Sequence, residues 1–449
     1  SRYTRLVRRL ETHQAVQDLG TIELDFDPAT QQLLMHGVSV FREGSLHNHA
    51  VESSFELFQR EAGLERDIIS GAITSLLVLR DIRIGDVLDV EFSIVSDSEL
   101  FGDYYWFTEI IGNTHPIGRQ WLSWIEREGQ PLFVQAPEGL GTYQREITEN
   151  GSVRTWAFEH TPIVVLENDI PVTHKPFPEV SLTTFGSWAE VAAIFLHPWS
   201  VEPADRGALE QELAPLRQRF ASEPFAAIAA AVDLVRHHVR YLGYSPGVFA
   251  LVPADPAQVW ERRFGDCKEK SRLLCWFLRE LDVEADPVLV NTFGGVALEV
   301  QPPSPGAFDH VIVRLRHCGT ELWIDPTDVA RRGDVVGWQS LPFHFGLPLV
   351  VGTDRLVRIP AQSKGASGLE VEEIVRVDSK ARGGTITVTH TYRGEDADML
   401  RHAMDSRGRA AVANHLTQQV NQTRPGAAAS SEMEVIDDPS ANKFTLRCG

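Results

Sequence analysis

The feature that most constrains this chain is a helix that begins at a cysteine. From Cys267 the sequence reads CKEKSRLLCWFL, in which apolar residues recur at the period of an α-helix ending near Asp282. Asp266 is a favourable N-cap residue, and Gly265 permits a sharp entry into the first turn. The pattern predicts a half-buried helix with the thiol of Cys267 on its first turn, where free backbone N–H groups favour the nucleophilic thiolate.

Two polar residues follow this helix at the ends of short apolar segments. His310 lies 43 residues after Cys267, and Asp325 lies 15 residues after His310. The segments are rich in β-branched residues and bounded by Gly, Pro or charge, as strands are; they cover residues 287–290, 310–315 and 321–325. A hairpin of the last two strands would place His310 and Asp325 side by side.

These three residue types suit a nucleophilic cysteine site. An imidazole accepts a thiol proton near neutral pH, and a carboxylate on its other nitrogen fixes the tautomer and favours the imidazolium. Asp309 is a weaker candidate carboxylate, because neighbours along a strand face opposite sides. Taken singly, the three residues are better explained as a buried small hydrophobe, a surface strand residue and a turn cap. Taken together, they favour Cys267 as nucleophile, His310 as base and Asp325 as the orienting carboxylate.

The stretch from about residue 225 to 327 resembles the transglutaminase-like superfamily of papain-type folds. The resemblance is carried by Cys267, His310 and Asp325, by the phrase GDCKEKS at 265–271, and by VRYLGY at 239–244 and PADPAQVW at 253–260. The N-terminal half is similar to the β-rich domain of unknown function that precedes this core in bacterial members. That likeness is carried by TIELDFDP at 21–28, LRDIRIGDVL at 79–88 and FGSWAEV at 185–191.

The resemblance implies more about chemistry than about substrate. Active members form an acyl-thioester on the cysteine and crosslink Gln to Lys, deamidate, or hydrolyse amide bonds, a mechanism that needs no metal or organic cofactor. One oxyanion donor would be the N–H of Cys267, and an upstream aromatic side chain would be the second. Tyr241 and Trp260 are the candidates, with Tyr241 preferred because it follows the preceding helix at a strand-like exit. A core position is the alternative for both.

A Gly- and Pro-rich segment, residues 292–307, leads up to His310. Its composition predicts a long loop beside the base, where a segment that gates the substrate would be placed. A spacer with no contact to substrate is the alternative interpretation.

Length and charge limit the remaining possibilities. A chain of 449 residues has about three times the length of a typical domain, and no apolar run of about twenty residues predicts a membrane span. The net charge of −20 argues against nucleic acid or an anionic bilayer as the main partner and suits a neutral or cationic polypeptide. Four cysteines are too few for a disulfide framework.

Residues 1–185 alternate short apolar segments with turns, which predicts a β-sandwich or an irregular barrel. The expected strands are 21–26, 32–41, 75–83, 87–96, 131–136 and 153–160. Aromatic residues clustered between 101 and 124 are expected to pack in a core or a domain interface rather than to form a binding patch. His47 and His49 with Glu52 would suit a metal, but alternation alone brings two histidines to one face, and no metal is predicted.

The second half is predicted to contain helices followed by further strands. Helices are expected at 187–195, 206–221 and 225–238, the first opened by a capping box of Ser187 and Glu190. Beyond residue 357, strands are expected at 369–377, 384–393 and 444–447 with one helix over 396–421. Because the last strand reaches the final residues, this segment is expected to belong to a longer domain.

We therefore predict an α+β protein of three parts. They are an N-terminal β-sandwich-like domain (1–185), a papain-like transglutaminase-type catalytic domain (186–356) and a C-terminal β-rich segment (357–449).

The predicted function is cysteine-dependent acyl transfer on a peptide or protein amide, with water or an amine as acceptor. Two alternatives stand beside it: a peptide-binding or assembly scaffold with a vestigial core, and a maturation factor for one partner protein. Related bacterial proteins commonly carry a leader, so a periplasmic location is expected, with the cytoplasm as the alternative. The sequence does not determine the oligomeric state.

Overall fold

The computed structural model describes residues 1–49, 55–61, 63–64, 67–97, 100–140, 142–149, 151–161, 163–170, 175–200, 202–244, 251–293, 295–329, 335, 341–360, 368–377, 383–423 and 432–449. Within these residues the chain is a strand-rich α+β structure of several sheets, as predicted. No helix of the described residues is long and apolar enough to cross a membrane.

The N-terminal region is almost entirely β-structure. Its elements are β1 Arg2–Arg9, α1 His13–Asp18, β2 Thr21–Phe26, β3 Gln31–Arg42, β4 Ser45–Asn48, β5 Phe55–Gln59, β6 Ile68–Ile69, β7 Ile73–Val78, β8 Val87–Ser96, β9 Trp106–Ile110, β10 Ile117–Glu126, β11 Phe133–Gln135, β12 Gln144–Thr148, β13 Gly151–Thr161 and β14 Glu179–Thr183. They form antiparallel sheets in the orders β1-β8-β3-β4, β2-β7-β5, β10-β13-β12 and β11-β14-β9.

Two apolar cores hold these sheets in pairs. Val38 and Val90 of the four-stranded sheet share one core with Leu77 of the β2-β7-β5 sheet. Trp156 of β13 and Leu182 of β14 share a second core between the other two sheets. The predicted sandwich is thus present as two layered units, because each sheet buries one face of its alternating side chains.

One predicted strand in this region is too long. Strand β7 ends at Val78, although its apolar pattern extends to Arg83. Asp81 adopts a left-handed conformation with φ of 56°, and its carboxylate binds the guanidinium groups of Arg42 and Arg83. The chain therefore turns there instead of continuing the strand.

The central region combines helices with a five-stranded antiparallel sheet of order β20-β19-β18-β21-β22. Its elements are α2 Trp188–Ser200, α3 Gly207–Arg219, α4 Pro224–His238, β15 Arg240–Tyr241, β16 Gly243–Tyr244, α5 Pro256–Arg262, β17 Phe264–Gly265, α6 Cys267–Arg279, β18 Glu284–Val290, β19 His310–His317, β20 Thr320–Ile324, β21 Phe345–Pro348 and β22 Val357–Arg358.

Helix α6 is the centre of this region, and the prediction of a half-buried helix is wrong. Every residue from 268 to 278 is buried. Its apolar side, including Leu273 and Phe277, packs into the core with α4, α5 and the sheet. Its charged side is covered as well, since Arg272 donates to the backbone carbonyl of Pro253 at 3.1 Å. Charged residues mark this helix as amphipathic in sequence, but Lys270 and Arg272 bind backbone carbonyls, and Lys268 and Glu269 pair with charged side chains.

Lys270 fixes α6 against the end of α4. Its side chain is fully buried, and Nζ donates to the carbonyls of Val235, Arg236 and Val239 at 3.3, 3.3 and 2.5 Å. The end of a helix leaves such carbonyls without intrahelical donors. Burial, together with the charge of Arg236, lowers the pKa of Lys270 to about 8. Lys270 therefore acts as a C-terminal cap supplied by another helix.

The entry to α2 differs in detail from a capping box. Ser187 caps the helix by accepting a hydrogen bond from the N–H of Glu190 at 3.3 Å. The carboxylate of Glu190 reaches one residue further back than predicted and accepts from the N–H of Gly186 at 2.9 Å.

The C-terminal region is a sheet of order β23-β24-β26-β25 with two helices. Its elements are β23 Gly368–Val377, β24 Gly384–Arg393, α7 Glu395–Arg407, α8 Arg409–Thr423, β25 Glu434–Asp438 and β26 Lys443–Cys448. The prediction of one helix over 396–421 is wrong, because Gly408 takes a left-handed φ of 81° and separates two helices. The predicted domain boundaries stay predictions.

Candidate active site

Cys267 is the first residue of α6, as predicted. Asp266 accepts a hydrogen bond from the N–H of Glu269 at 3.2 Å, and the Glu269 carboxylate accepts from the N–H of Asp266 at 3.2 Å. This reciprocal capping box fixes the first turn. Cys267 is half-buried and packs against an apolar cluster that includes Val311 of the neighbouring strand β19.

Gly265 is required two residues before the nucleophile. A Cβ at this position would lie 2.9 Å from Oε2 of Glu269 and 3.1 Å from Cγ1 of Val259. Gly265 pairs with Tyr241 in the parallel bridge of β15 and β17, and its carbonyl accepts from the N–H of Leu242 at 3.2 Å. This bridge brings β15 alongside the start of α6.

The hairpin of β19 and β20 brings the predicted base and carboxylate together. His310 opens β19, and Asp325 directly follows β20. Nε2 of His310 lies 2.7 Å from Oδ2 of Asp325, and both side chains are 12% exposed. Cys267 lies close enough to His310 to contribute to the raised pKa of its imidazole, and Asp325 leaves the other ring nitrogen, Nδ1, available to the thiol. The three predicted residues therefore meet, while their catalytic roles stay a prediction.

Asp325 is held by further hydrogen bonds. Its Oδ1 accepts from the backbone N–H and the hydroxyl of Thr327 at 2.8 and 2.6 Å, which leaves Oδ2 directed at His310. Nη2 of the buried Arg236 donates to the backbone carbonyl of Asp325 at 3.0 Å. Both the carboxylate and the chain that carries it are thus fixed.

His310 and Asp325 stabilise each other's charge. Burial opposes the charge of His310, but the Asp325 carboxylate and its hydrogen bond outweigh burial and raise the pKa of His310 well above its usual value, with a further contribution from Cys267. Burial also opposes the charge of Asp325, yet His310 and Thr327 together lower the pKa of Asp325 to about 2. At neutral pH the pair is therefore an imidazolium and a carboxylate.

Of the two aromatic candidates, Tyr241 lies at the site and Trp260 does not. Burial, followed by the nearby Cys267 and carboxylates including Asp325, raises the pKa of the Tyr241 phenol. Its hydroxyl consequently stays protonated and able to donate. Trp260 is 2% exposed and packs edge-on against Phe277 in the central core.

Asp309, the weaker candidate carboxylate, has other partners. Its two oxygens accept from the N–H and the hydroxyl of Thr292 at 2.8 and 2.7 Å. It therefore anchors the loop before His310.

Within the described part of the chain, the histidine pair of the N-terminal region has no third metal ligand beside it. His47 lies in β4 and His49 directly follows it, while Glu52 falls outside the described residues. Among the residues that the structure describes, no group of three or more His, Cys, Asp or Glu could hold a metal ion.

Two residues of the site were not predicted. Thr327 lies two residues after Asp325, and this spacing is typical of an Asx turn, so a local signal existed. Arg236 lies 89 residues before Asp325, and no local pattern connects the two.

Comparisons with known proteins agree with this architecture. Residues 1–166 match the model of a family described as a Domain of Unknown Function with solved-structure structure (DUF3857), so a domain of this kind lies at the N-terminus. No curated protein matches the chain.

Among solved structures, a "putative protease" from Parabacteroides distasonis aligns with 99% of this chain and 88% of its own, at 13% identity and a TM-score of 0.63. A "putative cysteine protease" from Cytophaga hutchinsonii aligns with 50% of this chain and 75% of its own, at 12% identity and a TM-score of 0.22. The first similarity shows a shared fold, and the second is too weak to support an argument.

The ion pair predicts a pH-dependent loss of stability in Asp325→Asn. Because the pKa of His310 is raised on folding, its charge stabilises the fold fully below about pH 6.5, the pKa in the unfolded chain, and this stabilisation is lost as pH rises. Because the pKa of Asp325 is lowered on folding, its charge stabilises the fold above about pH 3.9, the pKa in the unfolded chain, and this stabilisation is lost as pH falls toward 2. We expect the variant to be less stable by about 3 kcal/mol near pH 5, with a smaller difference at pH 8. Urea unfolding of both proteins between pH 4 and 9 measures this. A difference that does not vary with pH would contradict the ion pair.

Proposed function

We propose that this chain is a cysteine-dependent acyl-transfer enzyme that cleaves an amide bond of a peptide or protein through a thioester on Cys267. The observation that carries the proposal is the buried His310–Asp325 hydrogen bond beside Cys267, which lies at the start of α6 and contributes to the raised pKa of His310. A buried ion pair contributes little net stability compared with apolar residues of similar size, so a pair beside a half-buried thiol favours a chemical role.

In the first half-reaction, the thiolate of Cys267 attacks the carbonyl carbon of the amide and a C–S bond forms. The C–N bond then breaks, and the leaving amine takes the proton of the His310 imidazolium. The product is a thioester on Cys267 and a neutral imidazole. The negative charge of Asp325 stabilises the imidazolium before this transfer and holds the ring in place throughout.

In the second half-reaction, water or an amine attacks the thioester carbon. His310 accepts the proton of the attacking group, the C–S bond breaks, and the thiolate–imidazolium pair is restored. Hydrolysis and transfer to an amine therefore use the same residues. Release of a free acid or of an amide in the presence of a primary amine distinguishes the two reactions.

Two donors suit the oxyanion that forms in each step. The N–H of Cys267 is on the first turn of α6, where helix geometry provides no intrahelical acceptor. The protonated hydroxyl of Tyr241 is the second, since β15 runs beside the start of this helix. The fold shared with a structure named a "putative protease" also supports cleavage of a peptide bond.

The proposal predicts that Cys267 is alkylated by iodoacetamide at low pH. The imidazolium of His310 favours the thiolate, so at pH 6 we expect Cys267 to react roughly 10-fold faster than an ordinary thiol. The exposed Cys318 supplies that reference on the same chain. Peptide mass spectrometry after limited alkylation measures both sites, and His310→Ala is expected to remove the advantage of Cys267.

Cys275 reports on unfolding in the same experiment, since burial raises the pKa of its thiol to about 12. Labelling of Cys275 shows that the protein has unfolded, so such samples are excluded from the comparison of Cys267 with Cys318. If Cys267 reacts no faster than Cys318, or if His310→Ala reacts like the wild type, the proposed enzyme is contradicted and a scaffold role is favoured.

The role of Tyr241 predicts a difference between acylation and alkylation. Acylation of Cys267 by p-nitrophenyl acetate forms an oxyanion, whereas alkylation by iodoacetamide does not. We expect Tyr241→Phe to slow acylation roughly 10- to 100-fold and to leave alkylation unchanged. Tyr244→Phe, three residues along and 47% exposed, is the matched control. Equal slowing of both reactions would show that Tyr241 only supports the local structure.

A further inference from the structure

Side-chain hydrogen bonds join the two ends of the loop that leads to His310. It joins Val290 at the end of β18 to His310 at the start of β19. The Asn291 side chain donates to the carbonyl of Ala307 at 2.9 Å, and Asp309 binds Thr292 through both carboxylate oxygens. Two short 3-10 turns, Ala297–Val300 and Pro305–Ala307, shape the interior of the loop. Any contact that holds this loop therefore bears on the position of His310.

A sheet of the N-terminal region contacts the loop through each of its three strands. The Gln135 amide of β11 donates to the carbonyl of Val300. The Thr183 hydroxyl of β14 donates to the carbonyl of Pro303 at 2.9 Å. The indole of Trp106 in β9 lies against Gly306, where an added Cβ would be 2.9 Å from Cδ1 and closer still to Nε1.

The strand register places these three side chains on one face of the sheet. Thr183 pairs directly with Trp106, and Gln135 pairs with Ser181, two residues before Thr183. Side chains two apart along a strand share a face. The opposite face carries residues such as Leu182, which pack in the core of the N-terminal region. One face of the sheet thus stabilises its own domain, and the other binds the loop.

Trp106 also connects the sheet to the apolar surroundings of the nucleophile. Its ring packs edge-on against Phe101 at 4.6 Å and lies 6.1 Å from Phe185. Phe185 is fully buried in the same apolar cluster against which Cys267 packs. The aromatic residues around position 101–106 therefore form an interface, as predicted, whereas Trp121 of the same sequence cluster is 62% exposed.

We propose that the β11-β14-β9 sheet is a positioning element of the active site, which holds residues 295–309 of the loop so that His310 meets Cys267. The inference rests on the proposed function and assigns to the N-terminal region a part in it. Trp106, Thr183 and Gln135 are positioning residues, because they act through the loop and not on substrate. Whether the loop gates the substrate or is a spacer without substrate contact stays a prediction.

Gly306→Ala is the sharpest test, because it adds the one atom that the Trp106 ring excludes. Gly306 has no left-handed φ, so alanine is compatible with its backbone. A displacement of the loop by about 1 Å is enough to lower rates substantially, and we expect Cys267 alkylation at pH 6 to fall roughly 10-fold. The pH dependence of Cys267 alkylation in this variant should shift toward the pH dependence of Cys318 alkylation. Gly118→Ala in strand β10, where a Cβ meets nothing within 4 Å, is the matched control.

A double-mutant cycle with Trp106→Ala separates the contact from general damage. Trp106→Ala should itself slow alkylation, and adding Gly306→Ala should then cause no further loss, since the excluded volume is gone. Hydrogen exchange of peptides spanning 295–309 should increase in both single variants. Gln135→Ala, which removes one hydrogen bond and no core atom, should show the same increase in exchange without a change in melting temperature.

The outcomes distinguish this inference from the proposed function. If wild-type Cys267 shows no advantage over Cys318, the proposed function fails whatever the variants do. If the wild type is activated but Gly306→Ala matches Gly118→Ala, or is equally harmful with and without Trp106, the positioning role is overturned. Unchanged exchange in Gln135→Ala would likewise overturn it.

Discussion

The hydrogen bond of 2.7 Å between His310 and Asp325 is the interaction on which the site depends. Two opposite charges in a largely buried setting must stay paired, because neither can be left without a partner at acceptable cost. Their pairing requires the register of β19 and β20, the turn at Thr327 and the buried Arg236 behind the chain. With the imidazolium held in this way, the first turn of α6 needs only to bring Cys267 to its free nitrogen.

The need of every buried charge for a partner also applies to the many other charged groups inside the central region. Lys268 pairs with Asp266, Glu269 pairs with Arg262, and Lys270 binds the end of α4. Each group alone would be costly to bury, but networks in which every member is satisfied fix one arrangement of the backbone. Helix α6 therefore holds the nucleophile in a fixed position. In the proposed arrangement, the β11-β14-β9 sheet of the N-terminal region likewise holds the loop that leads to His310.

Features set by neighbours in sequence could be predicted, and features set by distant contacts could not. The Asp266 cap, the helix from Cys267 and the strands that carry His310 and Asp325 follow from local patterns. The burial of the charged side of α6 depends on carbonyls of other segments, so charge suggested a solvent-exposed face. The break at Gly408 was missed because a glycine inside a helical pattern is also compatible with a continuous helix. The contact of Trp106 with Gly306 joins positions 200 residues apart and has no local signal.

The protonation state of His310 tests the central claim most directly. In protein labelled with 15N-histidine, the His310 ring signals can be assigned by their loss in His310→Gln and followed between pH 5 and 9. The ion pair predicts that both ring nitrogens carry a proton at pH 7 in the wild type, and that Asp325→Asn makes the ring neutral at the same pH. A neutral His310 ring at pH 7 in the folded wild type would contradict the account.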